Sequence, residues 1–227
     1  MIKKRFITPL LSIFILCGLA SSAWAVTAAE VLSKMEQAYR DYQGFTASYV
    51  RESKSPAVAG MTPSRSVSQQ STGTITFKRP SNLRLDQTKP RQELLVANTR
   101  TIWWYLEEDR VVNRYPAGTY LDQVKPITDF FSGLGNMEAS FKLKLNNSDP
   151  GLFEVNMTSR KESENIDSIT AWISKEDFHL VRFSIINIMG QITDFRFSGT
   201  QLKPEVAASL FDFTPPPGVK VIDKNEP

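Results

Sequence analysis

The chain has a single cysteine, Cys17, and a single histidine, His179. Cys17 falls inside an amino-terminal segment that reads as an export signal, so the remainder has no disulfide, thiol nucleophile or cysteine metal ligand. One histidine without a G-x-S-x-G motif supports neither the common hydrolase constellation nor a histidine-rich metal centre. No EF-hand loop is present. The carboxylate groups at 107–109 and 162–164 sit where turns are expected and read as solvated hairpin tips rather than paired acid–base groups. No catalytic residue, metal or cofactor is therefore expected.

A charge excess is missing too. Residues 1–25 carry Lys3, Lys4 and Arg5, an apolar run over 9–20 and Ala23-Trp24-Ala25 before Val26, the pattern of a cleaved secretory signal. The apolar run is shorter than the roughly 20 residues a spanning helix needs. Cleavage removes three of the 27 basic residues and none of the 24 acidic ones, which leaves the two signs in balance. A neutral surface with interspersed charges gives no footprint for nucleic acid and no polybasic patch for anionic lipid. Residues 26–227 then form one exported domain, long enough to bury a sizeable core.

What is present is alternation. A helix is expected over 28–42, opened by Thr27 with Glu30 three positions on, a capping box, and stopped by Gly44. Leu32, Met35, Tyr39 and Tyr42 give it one apolar face. From Phe45 the period drops to two: Phe45, Ala47 and Tyr49 alternate with Thr46, Ser48 and Val50, and the polar stretch 53–71 reads as a long exposed loop. Ile75 and Phe77, then Leu83 and Leu85, then 94–97 and 101–106 continue the pattern. It resumes at 141–145, 153–157, 169–173, 181–185 and 195–197. Such strands have one wet and one dry face, and their short connections favour hairpins. The expected fold class is α+β: an incomplete antiparallel β-barrel, a strongly curved sheet of about 10–11 strands, with short helices as a lid over an apolar concave face.

The helical pieces available as a lid are 28–42, 122–134 and a short helix over 204–210. In 122–134, Pro126 interrupts the backbone ladder, Phe130-Phe131 is a local apolar pair and Gly133 offers a hinge, a composition suited to a movable cover. The residues expected to line the covered face are Tyr49, Ile75, Phe77, Leu83, Leu85 and Leu95. Trp103, Tyr105, Ile127, Phe130, Phe131, Phe183 and Ile185 complete the set. The alternation around Trp103 and Trp104 is broken, which leaves both as inward candidates. Arg79 stands at an Arg-Pro break beside this face. A guanidinium has five donors and cannot discharge, so at an apolar rim it must find carbonyl or carboxylate partners on a covering segment.

Several of these blocks resemble a known family, the periplasmic lipoprotein carriers of the LolA type. The matching residues are Phe45-x-Ala47-x-Tyr49 after a helix, Gly73-x-Ile75-x-Phe77-Lys78-Arg79-Pro80, Thr88-x-Pro90, Leu94-Leu95-Val96, Thr101-Ile102-Trp103-Trp104-Tyr105 and the ending Phe211-x-Phe213-Thr214-Pro215-Pro216-x-Gly218-Val219. The chain departs from the family pattern at Arg51, at Asn98-Thr99 and in the long 53–71 loop.

The resemblance implies a monomeric periplasmic carrier whose apolar cavity is lipid-binding and takes lipoprotein acyl chains. Cargo, acylated lipoproteins, would come from an inner-membrane lipoprotein-releasing ABC transporter and pass to an outer-membrane lipoprotein receptor. In this reading Arg79 is lid-closing, and Leu83 and Leu85 occupy cavity or transfer positions. The alternative from another class is a periplasmic lipid- or lipoprotein-sensing interaction module on the same half-barrel, which would be expected to carry a further partner-binding domain after the barrel.

Overall fold

The computed structural model describes residues 26–55, 68–117, 124–133, 137–160 and 165–224; the expected signal segment, 1–25, lies outside them. Helix α1, Ala28–Arg40, begins as the capping box requires. The Glu30 backbone N–H donates to Thr27 Oγ1 at 3.2 Å and the Thr27 N–H donates to Glu30 Oε2 at 2.8 Å, which satisfies two otherwise orphan donors. Val31, Leu32, Met35 and Tyr39 are buried along one stripe. The helix stops short of the expected Tyr42, because Gly44 already belongs to the first strand and the chain must turn before it.

The strands follow as β1 (Gly44–Lys54), β2 (Ser68–Lys78), β3 (Asn82–Lys89), β4 (Glu93–Ala97), β5 (Thr101–Leu106) and β6 (Val111–Pro116). After α2 (Lys125–Gly133) and α3 (Met137–Ser140) come β7 (Phe141–Asn146), β8 (Leu152–Ser159), β9 (Ile166–Ser174), β10 (Leu180–Asn187) and β11 (Ile192–Lys203). A 3₁₀ turn, Ala208–Phe211, and β12, Lys220–Asp223, end the described chain. All twelve strands form one sheet, in the order β12-β6-β5-β4-β3-β2-β1-β11-β10-β9-β8-β7. Two antiparallel meanders, β1–β6 and β7–β11, are joined where β1 pairs with β11, and the sheet curves without closing.

Close strand approach is built in at two glycines. A Cβ at Gly44 would lie 1.9 Å from the Phe77 carbonyl oxygen, and one at Gly73 would lie 2.1 Å from that of Asp86. Only glycine lets neighbouring backbones meet there.

Three expectations are corrected. The 53–71 loop is strand at both ends, since β1 runs to Lys54 and β2 starts at Ser68; residues 56–67 lie outside the described set. Strands β6 and β12 were not expected: Val111-Val112-Asn113 does not alternate, and β12 is a short edge strand that pairs with β6 in parallel. The 204–210 helix is instead an extended strap ending in the 3₁₀ turn. Its own backbone closes only the 3₁₀ turn, through the Leu210 and Asp212 N–H groups, and three further carbonyls are taken by side chains of the sheet and the β4–β5 turn: Lys78 Nζ donates to the Val206 oxygen at 2.7 Å, Arg84 Nη1 to Leu210 at 3.2 Å and Asn98 Nδ2 to Phe211 at 3.0 Å.

Candidate functional site

Strand register arranges the concave face in rows. One row crosses Phe45, Phe77, Leu83, Ala97 and Ile102, and the next crosses Ala47, Ile75, Leu85, Leu95 and Trp104. Beyond β11 the face continues through Phe195, Phe183, Ala171 and Val155, with Ile185, Ile169 and Met157 beside them. Apart from Trp104 these side chains are buried, and with α1 and α2 they form a single apolar cluster. Period-two alternation puts each of them on the same side of its strand, so the apolar wall is a direct product of the sequence pattern.

Two helices roof this wall. The Phe131 ring of α2 sits 4.7 Å from that of Phe45 and 5.2 Å from that of Phe77, while Phe130 meets Phe183 across the sheet at 4.8 Å. From α1, Tyr39 packs edge-on against Phe45 at 5.9 Å and touches Phe131 at 5.6 Å. The Tyr39 hydroxyl accepts the Leu180 N–H at 3.2 Å, and burial pushes its pKa well above the ordinary tyrosine range. The contribution of α1, through Leu32, Met35 and Tyr39, had a signal in the helical periodicity but was not assigned to the lining.

Arg79 lies at the rim. Its Nη2 donates to the Tyr39 carbonyl at 2.9 Å, which also accepts the Tyr42 N–H at 3.2 Å, and its Nη1 to that of Arg40 at 3.4 Å, so it caps the carboxy-terminal end of α1. The next residue ties down α2, since the Ser132 hydroxyl donates to the Pro80 carbonyl. One Arg-Pro step therefore contacts both pieces of the roof.

Of the expected lining residues, Tyr49, Ile75, Phe77, Leu83, Leu85, Leu95, Ile127, Phe130, Phe131, Phe183 and Ile185 are brought together. Trp103 and Tyr105 are not. They point to the convex face, where their rings lie 5.8 and 6.0 Å from that of Phe213, and Trp103 adjoins the buried Val96, Val206 and Phe211. The physical reason is register: Trp104 pairs with Leu95 and shares its face, so its neighbours must face away. His179 is placed beside Asp177, its Nδ1 3.1 Å from Oδ2, with its ring 5.7 Å from that of Tyr39. Among the described residues no cluster of three or more His, Cys, Asp or Glu side chains could hold a metal. No helix among them is long and apolar enough to cross a membrane.

A large, curved, unclosed sheet with short helices over its concave side places the chain among half-barrel proteins. The particular family follows from the sequence. Residues 59–214 match the family model described as outer membrane lipoprotein carrier protein LolA, and the chain belongs to that family. A protein named outer-membrane lipoprotein carrier protein from Dechloromonas aromatica (strain RCB) is 30% identical over 154 residues, covering 68% of this chain and 72% of that one. One of the same name from Neisseria meningitidis serogroup B is 23% identical over 222 residues, covering 93% and 97%. An uncharacterized conserved protein from Thermus thermophilus, known by crystal structure, shares the fold at a TM-score of 0.52 and 14% identity, over 87% of this chain and 99% of that one.

Proposed function

We propose that this chain is a periplasmic carrier that shelters the acyl chains of lipoproteins on its concave face and moves them from the inner to the outer membrane. Export by residues 1–25, receipt from an inner-membrane lipoprotein-releasing ABC transporter and delivery to an outer-membrane receptor belong to the same reading. The observation that carries it is the continuous apolar wall roofed by two helices that one Arg-Pro step holds. The task is binding without chemistry.

The energetics fit a shuttle. Each buried methylene is worth about 0.8 kcal/mol, so a 16-carbon chain gains on the order of 10 kcal/mol by leaving water. A carrier with that full gain would not release its cargo. Here the wall is already covered, and an incoming chain must displace Phe130, Phe131 and their neighbours. Acyl contacts replace protein contacts, and the net gain is smaller than the transfer energy.

Arg79→Leu removes the hydrogen bonds to the Tyr39 and Arg40 carbonyls and favours the open roof. Native mass spectrometry of protein purified from the periplasm should then show more bound triacylated lipoprotein than in the wild type, together with slower handover. Equal loading and equal handover would contradict the clasp.

A further inference from the structure

The concave wall does not stay apolar along β1. Past Tyr49 its rows turn polar: Tyr49 is followed across the sheet by Gly73, Gln87 and Glu93, and Arg51 on the same side of β1 is paired with Ser71. Roughly 13 Å of strand separates Phe45, under the roof, from Tyr49 at this border. The polar groups are knitted together: Arg51 Nε donates to Ser71 Oγ at 3.0 Å and Nη2 to Gln87 Oε1 at 2.9 Å, while Trp104 Nε1 donates to Glu93 Oε2 at 3.0 Å.

One group in this border has no partner among the described residues. The Tyr49 hydroxyl is buried and makes no hydrogen bond among the described residues, although the residue is only 2% exposed. Tyr49, Arg51, Gln87, Glu93 and Trp104, with Leu85 and Leu95, line a space of about 10 Å³. That is at the lower limit for a single water-sized group. A buried hydroxyl without a partner costs about 1–3 kcal/mol, a cost that an oxygen acceptor placed in this space relieves. Burial pushes the Tyr49 pKa up to about 12, so at neutral pH it is a donor.

We propose that this border is a head-group site: Tyr49 Oη donates to a carbonyl oxygen of an acyl group whose hydrocarbon chain lies along the apolar rows towards Phe45. The inference rests on the acyl-binding reading above and adds a direction to it, with the oxygen-bearing end at Tyr49 and the chain running back beneath α2. The oxygen can belong to the ester of a diacylglyceryl lipoprotein or to the carboxylate of a free fatty acid. Arg51 lies beside the site in either case.

Tyr49→Phe tests this cleanly, because it removes one oxygen that makes no hydrogen bond among the described residues and leaves the ring that packs 5.8 Å from Phe195. Binding would be measured with a fluorescent fatty acid, its methyl ester and the oxygen-free hydrocarbon diphenylhexatriene, and thermal unfolding would be followed alongside. The expected result is about fivefold weaker binding of the oxygen-bearing probes. Hydrocarbon binding should be unchanged and the Tm equal or higher. An effect on the acid alone identifies a carboxylate as the ligand, and an effect on both identifies the carbonyl common to them. Unchanged affinity for both oxygen-bearing probes, or an equal loss for all three, overturns the head-group site and leaves the acyl-binding reading in place. If none of the probes binds the wild type, the acyl-binding reading fails and the site falls with it.

Discussion

The sheet is covered on both sides, and the two covers are held by neighbouring residues. Lys78 reaches to the convex side and donates to the Val206 carbonyl of the carboxy-terminal strap, while Arg79 reaches to the concave side and donates to the carbonyls that end α1. The fastening chemistry is the same, a cationic side chain on backbone oxygens. What lies beneath differs. Under the strap is a small cluster centred on Val96, Val206 and Phe211, and under the helices is the main core, which draws on α1, α2 and nearly every strand. A strap over a small patch has little that another ligand could replace. A roof over a broad apolar wall can exchange its own contacts for those of a hydrocarbon chain.

The largest expected effect separates the two patches. Phe77→Ala should cost about 3–5 kcal/mol in chemical denaturation, since a fully buried ring in the central wall leaves a cavity its neighbours cannot close. Phe211→Ala should cost less, about half as much, because the strap can settle onto the sheet. Equal losses would mean that the wall and the strap patch are packed with the same rigidity.

Alkaline titration sharpens it from the concave side. The Tyr49 pKa is raised by burial from 10 to about 12, and that of Tyr39 is raised as well. Above pH 10 the unfolded chain has released a phenolic proton that the folded chain retains, so folded stability is complete below that pH and declines as pH rises towards 12. For Tyr49 the loss is at most about 3 kcal/mol. Tyr49→Phe should flatten this decline in Tm against pH, and an unchanged slope would show that the hydroxyl is not shielded from water in the folded protein.

The smallest effect concerns the fasteners. Lys78→Met should lower stability by about 1–2 kcal/mol, from the lost charge-assisted hydrogen bond, and leave binding of a fluorescent acyl probe as it was. Arg79→Leu should cost a similar amount and change probe binding. If both variants bind alike, the two covers have the same role.

Much of this architecture was legible in the sequence because alternation is a strong signal where one face is dry. Thr27 and Glu30 placed the start of α1, and the runs around Phe77, Leu85 and Phe183 placed the wall. Arg79 could be anticipated as a rim donor, because a guanidinium beside an apolar face must find oxygens. The inward face of β5 was not legible, since Thr101-Ile102-Trp103-Trp104-Tyr105-Leu106 is apolar on both sides; Trp103 and Tyr105 serve the strap and Trp104 the wall. Local pattern also could not reveal pairings between distant segments, namely β1 with β11 and β12 with β6. The polar border at Tyr49 and Arg51 escaped for the same reason, because it is assembled from strands β1 to β5 only by register.

Those adjacent tryptophans can report whether acyl chains lie against the concave wall. In a Trp172→Phe background lacking residues 1–25, Trp103→Phe leaves the inward Trp104 as the reporter, and Trp104→Phe leaves the outward Trp103. Fluorescence would be followed while a fatty acid brominated on its chain is added. Quenching of Trp104 with Trp103 unaffected is the predicted result. Equal quenching of the two, or quenching of Trp103 alone, would mean that the acyl chain does not lie against the concave wall.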